Sequence, residues 1–163
     1  MLTTCRLFII APLIVEVVTE VCDSFEKIKR IPTWEELLSY QLFENMFELA
    51  PEQWDLFPFT KKDFETKDAK FMAFAKRFAR MLDLAVQLLG PDMEVVEEQL
   101  GEIGLVHDRY GVKEGHYILM GKALDQTLHK ILGRRSYTDK TKHAWTFIFK
   151  FMSDTMVEAA KKA

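Results

Sequence analysis

Cysteine is scarce in this 163-residue chain: Cys5 and Cys22 are the only two, 17 positions apart, with no CxxC pair and no histidine at ligand spacing beside them. That leaves neither a disulfide framework nor a zinc site to be read from spacing, and a reducing, cytoplasmic compartment is the default. Glycine and proline are few, at 7 and 5, which excludes collagen-like and low-complexity chains. Neither sign of charge dominates, since 22 Lys and Arg stand against 25 Asp and Glu for a net charge of -3. There is no basic field for grasping nucleic acid. No apolar run is long enough to span a bilayer. The longest, residues 7–15, follows Arg6 and has the length of a signal-peptide core, but Pro12 interrupts it, Glu16 closes it and no small-x-small site follows. Residues 1–11 therefore read as an N-terminal extension, and membrane association is not expected. Ser-His-Asp, HExxH and glycine-rich phosphate-loop patterns are also missing.

What is present is a core. The chain is 48% hydrophobic and 29% charged, with 13 phenylalanines, enough for one soluble domain over residues 12–163. Helical periodicity dominates and no alternating strand pattern with hairpin turns occurs, so the fold class is all-α, with about six to eight helices. The spacing predicts a first helix over 12–29, with Val17, Val21, Phe25 and Ile28 on one face. Pro32 breaks it, and Thr33 with Glu36 has capping-box spacing for a second helix ending near Ala50. Residues 52–67 hold Trp54, Phe57, Phe59 and Phe64 in a stretch too irregular for one helix and too aromatic for a solvated loop. A strong helix follows over 71–89, stopped by Gly90-Pro91. The next runs over 92–109 with Val96, Leu100, Ile103 and His107 on one stripe, and two more close the chain over 114–132 and 138–160.

His107 is the residue with the most chemistry in it. A histidine on an apolar face is commonly a packed, hydrogen-bonded core residue, and it is also an excellent iron ligand. Periodicity leaves both readings open. The segment Ile103-Gly104-Leu105-Val106-His107-Asp108-Arg109-Tyr110-Gly111-Val112, with His116-Tyr117 and Gly121-Lys122-Ala123-Leu124 after it, resembles the proximal-histidine segment of the globin family. Upstream, residues 42–51 followed by Leu56-Phe57 resemble the second globin helix and the corner phenylalanine that wedges against haem. Ser24-Phe25 and Ala144-Trp145 fit as well, so the likeness covers about 12–160 and is nearest to neuroglobin-like and single-domain bacterial or protist globins.

The resemblance implies a globin fold holding haem b, with His107 as the proximal iron ligand and Phe57 as the corner phenylalanine. It places Val112 and Tyr117 against the proximal side, with Met120 on the same stripe, and Phe43 on the distal wall. Phe74 falls where the family usually has His or Gln, and Phe78, one turn later, completes that wall. Arg77 and Lys113 match places where globins set cations near the haem propionates, with Lys76 and Arg80 as neighbours of Arg77; each also reads as an ordinary surface charge, and Arg77 is the one taken as a site residue. If His107 binds iron through one ring nitrogen, the other should donate to a backbone carbonyl, that of Ile103 being one turn earlier. The implied partners are a diatomic gas (O2, CO or NO) and a separate reductase. Three function classes stand open: a gas-binding haem protein for oxygen storage, transport or sensing; a haem redox enzyme such as a nitric oxide dioxygenase or weak peroxidase, for which the apolar distal side offers no acid-base group; and a haem-free interaction module on the same fold.

Overall fold

The computed structural model describes residues 3–90 and 93–163, with side chains from Pro12 onward. Its elements are α1 (Thr3–Lys29), α2 (Trp34–Leu49), a 3-10 helix (Pro51–Leu56), α3 (Lys61–Glu65), α4 (Ala69–Leu88), α5 (Glu94–Arg109), α6 (Glu114–Ser136) and α7 (Asp139–Lys162). No strand occurs among the described residues. The helices match the sequence expectations closely, with instructive differences. Helix α1 begins at Thr3 and passes through Pro12; proline loses one hydrogen bond there, but its fixed φ is already helical. Thr33 does not cap α2: its backbone (φ -111°, ψ 32°) is not the extended conformation that aims an N-cap side chain at the helix, and Glu36, the residue that would reach back to it, pairs with Lys76 at 2.6 Å. The irregular stretch resolves into the 3-10 helix and α3, and α3 carries the capping box that α2 lacks, Thr60 with Asp63. Pro91 and Asp92, expected to stop one helix and open the next, lie outside the described residues. Two glycines take a left-handed backbone that other residues avoid: Gly111 (φ 81°), just past α5, and Gly133 (φ 70°), which kinks α6.

Helix α2 is the hub, packing on α4 along one side and on α6 along another. Its crossing with α4 is close because Ala75 and Ala79 are small and fully buried, and the Ser39 hydroxyl donates to the Ala75 carbonyl at 2.7 Å. Toward α6, Asn45 Nδ2 donates to Thr127 Oγ1 at 2.8 Å inside the core. The terminal helices pair through Trp145 Nε1, which donates to Ser24 Oγ at 2.8 Å. Each of these polar groups sits in a dry environment, where leaving it unpaired would cost about 1–3 kcal/mol.

Helix α5 rests chiefly on α7 and touches α4 only lightly. The reason is Gly104: a Cβ there would collide with the backbone carbonyl of Met156, so only glycine permits the approach. Gly104→Ala is expected to destabilise the fold by a net ~2 kcal/mol, the cost of forcing two packed helices apart exceeding the gain in helix propensity. Urea unfolding of the two proteins side by side checks it, and because His107 lies one turn further along α5, the same substitution should displace that ring.

Candidate functional site

Helix α4 carries two apolar stripes. Phe71, Ala75, Ala79, Leu82 and Val86 are buried against the body of the protein. Phe74, Phe78, Met81, Ala85 and Leu88, at spacings of four, three, four and three, form a second stripe that the described residues leave partly exposed. It faces α5. The two helices enclose a void of about 30 Å³ lined by Met81, Ala85 and Leu88 on one side and Val96, Leu100 and Ile103 on the other. Followed along both helices, the same stripes lead to Phe74 and Phe78 on α4 and to His107 on α5.

The α4 wall is aromatic. Phe43, on α2, is fully buried and is met edge-on by Phe57 at 5.4 Å, Phe74 at 5.9 Å and Phe78 at 6.2 Å between ring centroids. Phe57 also meets Phe74 at 5.9 Å. Edge-to-face geometry of this kind adds to simple burial and holds each ring in place. The rings of Phe43, Phe57, Phe74 and Phe78 thus form one cluster. Phe59 belongs with them and was not singled out from sequence: it is buried, stacks on Phe57 at 5.4 Å and reaches Phe74 at 5.4 Å. Its signal was the Phe57-Pro58-Phe59 spacing, which puts two rings on one side of an extended turn. Beside this wall Tyr40, on α2, stacks on Phe64 at 5.0 Å beneath the Lys67 ammonium.

The α5 wall centres on His107. Its Nδ1 lies 2.9 Å from the Ile103 carbonyl, and since a carbonyl only accepts, Nδ1 carries the proton and Nε2 keeps its lone pair. No residue among those described takes up that Nε2. The Val112 amide donates to the His107 carbonyl at 3.1 Å, closing α5 directly behind the ring. Tyr117, on α6, lies 6.1 Å from the imidazole centroid to centroid. Burial, with Asp108 as the lesser cause, pushes its hydroxyl above the usual tyrosine range, so it remains a neutral phenol. Met120 packs against the core from α6 without a ring or hydrogen-bond contact to His107. Arg77 is exposed and has no ion-pair partner among the described residues; Lys76, Arg80 and Lys113 are paired with Glu36, Glu35 and Asp108.

These features fit a flat, apolar, iron-bearing ring. One imidazole nitrogen is locked by a carbonyl and the other left free with its lone pair, and the stripe opposite is apolar and incompletely covered. No cluster of three metal-ligating side chains occurs among the described residues. A family model described as Globin matches residues 40–156.

The chain belongs to the globin family. Similar curated proteins include an anaerobic nitrite reductase of Brassica napus, 31% identical over 129 residues that cover 76% of this globin and 77% of that protein. Another is the neuroglobin of Tetraodon nigroviridis, 29% identical over 119 residues, covering 71% and 74%. Among solved structures, a hexacoordinated heme protein from an anhydrobiotic tardigrade superposes with a TM-score of 0.77 at 21% identity, covering 89% of this globin and 93% of that chain. Among the described residues no helix of the globin is long and apolar enough to cross a membrane.

Proposed function

We propose that this globin binds haem b through His107 Nε2 and reversibly binds O2, CO or NO, serving oxygen storage, transport or gas sensing in a cytoplasmic setting. The observation that carries the reading is the His107 ring itself, oriented by the Ile103 carbonyl with its second nitrogen unpartnered. Haem, when bound, would supply an iron atom able to take up a diatomic gas, with His107 as the residue that holds it. The chain's own residues do the rest. Ile103 fixes the tautomer and orientation of His107, a hydrogen bond of the kind that raises ligand basicity. Phe57, backed by Phe59, wedges the cofactor from the corner, while Tyr117, Val112 and Met120 pack behind it. Phe43, Phe74 and Phe78 exclude water from the opposite side and offer neither a nitrogen to the metal nor a donor to its ligand. Arg77, unpaired at the edge of α4, is free to meet a propionate. The globin domain on this reading is 12–163, with 1–11 as an extension, and a separate reductase supplies electrons that keep the iron ferrous.

Absorption spectra of the haem-loaded protein test it. The ferrous form should be five-coordinate and shift on adding carbon monoxide. A six-coordinate ferrous spectrum would mean that a side chain other than the three phenylalanines reaches the metal, and failure to take up haem would leave the haem-free interaction module as the surviving class.

A further inference from the structure

On the far side of Tyr117 from His107, α6 and α7 separate to leave a cleft of about 610 Å³, within the range of small-molecule sites. It is independent of the haem reading. Its floor is Leu124, Leu128, Trp145 and Phe149, and Leu49 from the end of α2 also lines it. Gly121 lies midway along, where Phe149 Cδ1 would stand only 3.0 Å from an added Cβ, so the ring lies against bare helix backbone and the trough stays smooth.

The polar groups lining the cleft are mostly engaged already. Trp145 donates to Ser24, the Tyr137 hydroxyl donates to Asp125 at 2.7 Å, and Ser153 donates to the Lys150 carbonyl at 3.0 Å. A guest in the trough is thus offered apolar surface and little hydrogen bonding. The rim is different. Lys142 is paired with Asp125 at 3.2 Å and Lys150 with Asp154 at 2.7 Å, whereas Lys122, also lining the cleft, has no carboxylate partner among the described residues. It is an exposed cation at the edge of an apolar trough, the cleft's carboxylates Asp125, Asp154 and Glu114 being paired with Lys142, Lys150 and Lys161 instead.

We infer that the cleft between α6 and α7 is a binding site for a single-chain anionic amphiphile, a fatty acid, whose tail lies along Leu124, Leu128, Trp145 and Phe149 and whose carboxylate meets Lys122. The apolar floor suits an alkyl chain because burial of methylenes needs no polar partner, and the one unmatched charge fixes which end of the chain stays at the rim.

The test is isothermal titration of the protein as purified with dodecanoate below its micelle concentration, beside dodecyltrimethylammonium, which has the same tail and the opposite charge. One site is expected for dodecanoate, with the cationic chain binding more weakly. Lys122→Glu should weaken dodecanoate about fivefold or more, as loss and reversal of one exposed charge pair would. Thr146→Trp, which fills the cleft from an exposed lining position, should abolish it. Both sites are on the surface, and circular dichroism confirms that the helices remain. Absence of binding overturns the proposal, as does affinity indifferent to head-group charge and to both substitutions. Sedimentation showing a dimer that Thr146→Trp dissociates would likewise overturn it, because the cleft would then hold a second copy of the chain.

Discussion

Haem-loaded His107→Gly is expected to lose its cofactor to an apo-acceptor at least 100-fold faster than the parent, and to regain a normal ferrous spectrum when imidazole is added. Deleting a hydrogen-bond partner behind a metal ligand commonly costs ~10–100-fold in metal affinity, and removing the ligand itself should exceed that. Glycine is chosen because it leaves a hole of the right shape beside Tyr117, and free imidazole can enter it without the Ile103 carbonyl having moved. The control is His116→Gly. His116 Nδ1 accepts from the Lys113 amide at 2.8 Å, so its loss should weaken the start of α6 and leave haem dissociation unchanged. Equal haem loss in the two variants, or no rescue by imidazole, would remove His107 from the role assigned to it.

The second large effect is expected at Phe74, where a donor can be introduced into a wall that has none. A dioxygen ligand in this pocket would carry partial negative charge, and a hydrogen bond to a charged group contributes about 1.5–3 kcal/mol, or roughly ten- to hundredfold in affinity. Phe74→His should therefore slow oxygen dissociation about 10–100-fold, measured by stopped-flow on the ferrous form, while carbon monoxide, with less charge to stabilise, changes less. Phe74→Leu separates chemistry from shape: it opens the contacts with Phe43, Phe57 and Phe59 but adds no donor, so its oxygen off-rate should stay near that of the parent. If histidine and leucine behave alike, residue 74 does not face the ligand.

Much of this arrangement could be read from spacing. The apolar repeat of α4 is visible before any coordinates, although spacing groups Phe71 with Phe74 and Phe78 on one face where the structure buries Phe71 on a separate stripe, and the Ile103 carbonyl behind His107 follows from the four-residue pitch of a helix. Other features depend on tertiary distances that no local pattern carries. Nothing around Gly104 indicates that Met156, 52 positions later, will press against it, because the signal is a missing side chain. Thr33 and Thr60 both have the spacing of a helix cap, yet only Thr60 acts as one. Lys76 reaches across from α4 to take Glu36, and a competition of that kind is settled in space. Phe59 was seen as aromatic, but its contact with Phe74 required knowing that the 3-10 helix and α3 fold the corner back onto α4.

Helix α4 is fastened to α2, and α5 is fastened to α7 through Gly104, with little holding α4 and α5 to each other. Helices α4 and α5 are thus held at a fixed spacing by the body behind them, α2 on α6 and α6 on α7, while touching each other only lightly. A rigid disc lying between them would join them directly, and its retention would then depend on how stiffly each helix is gripped from behind.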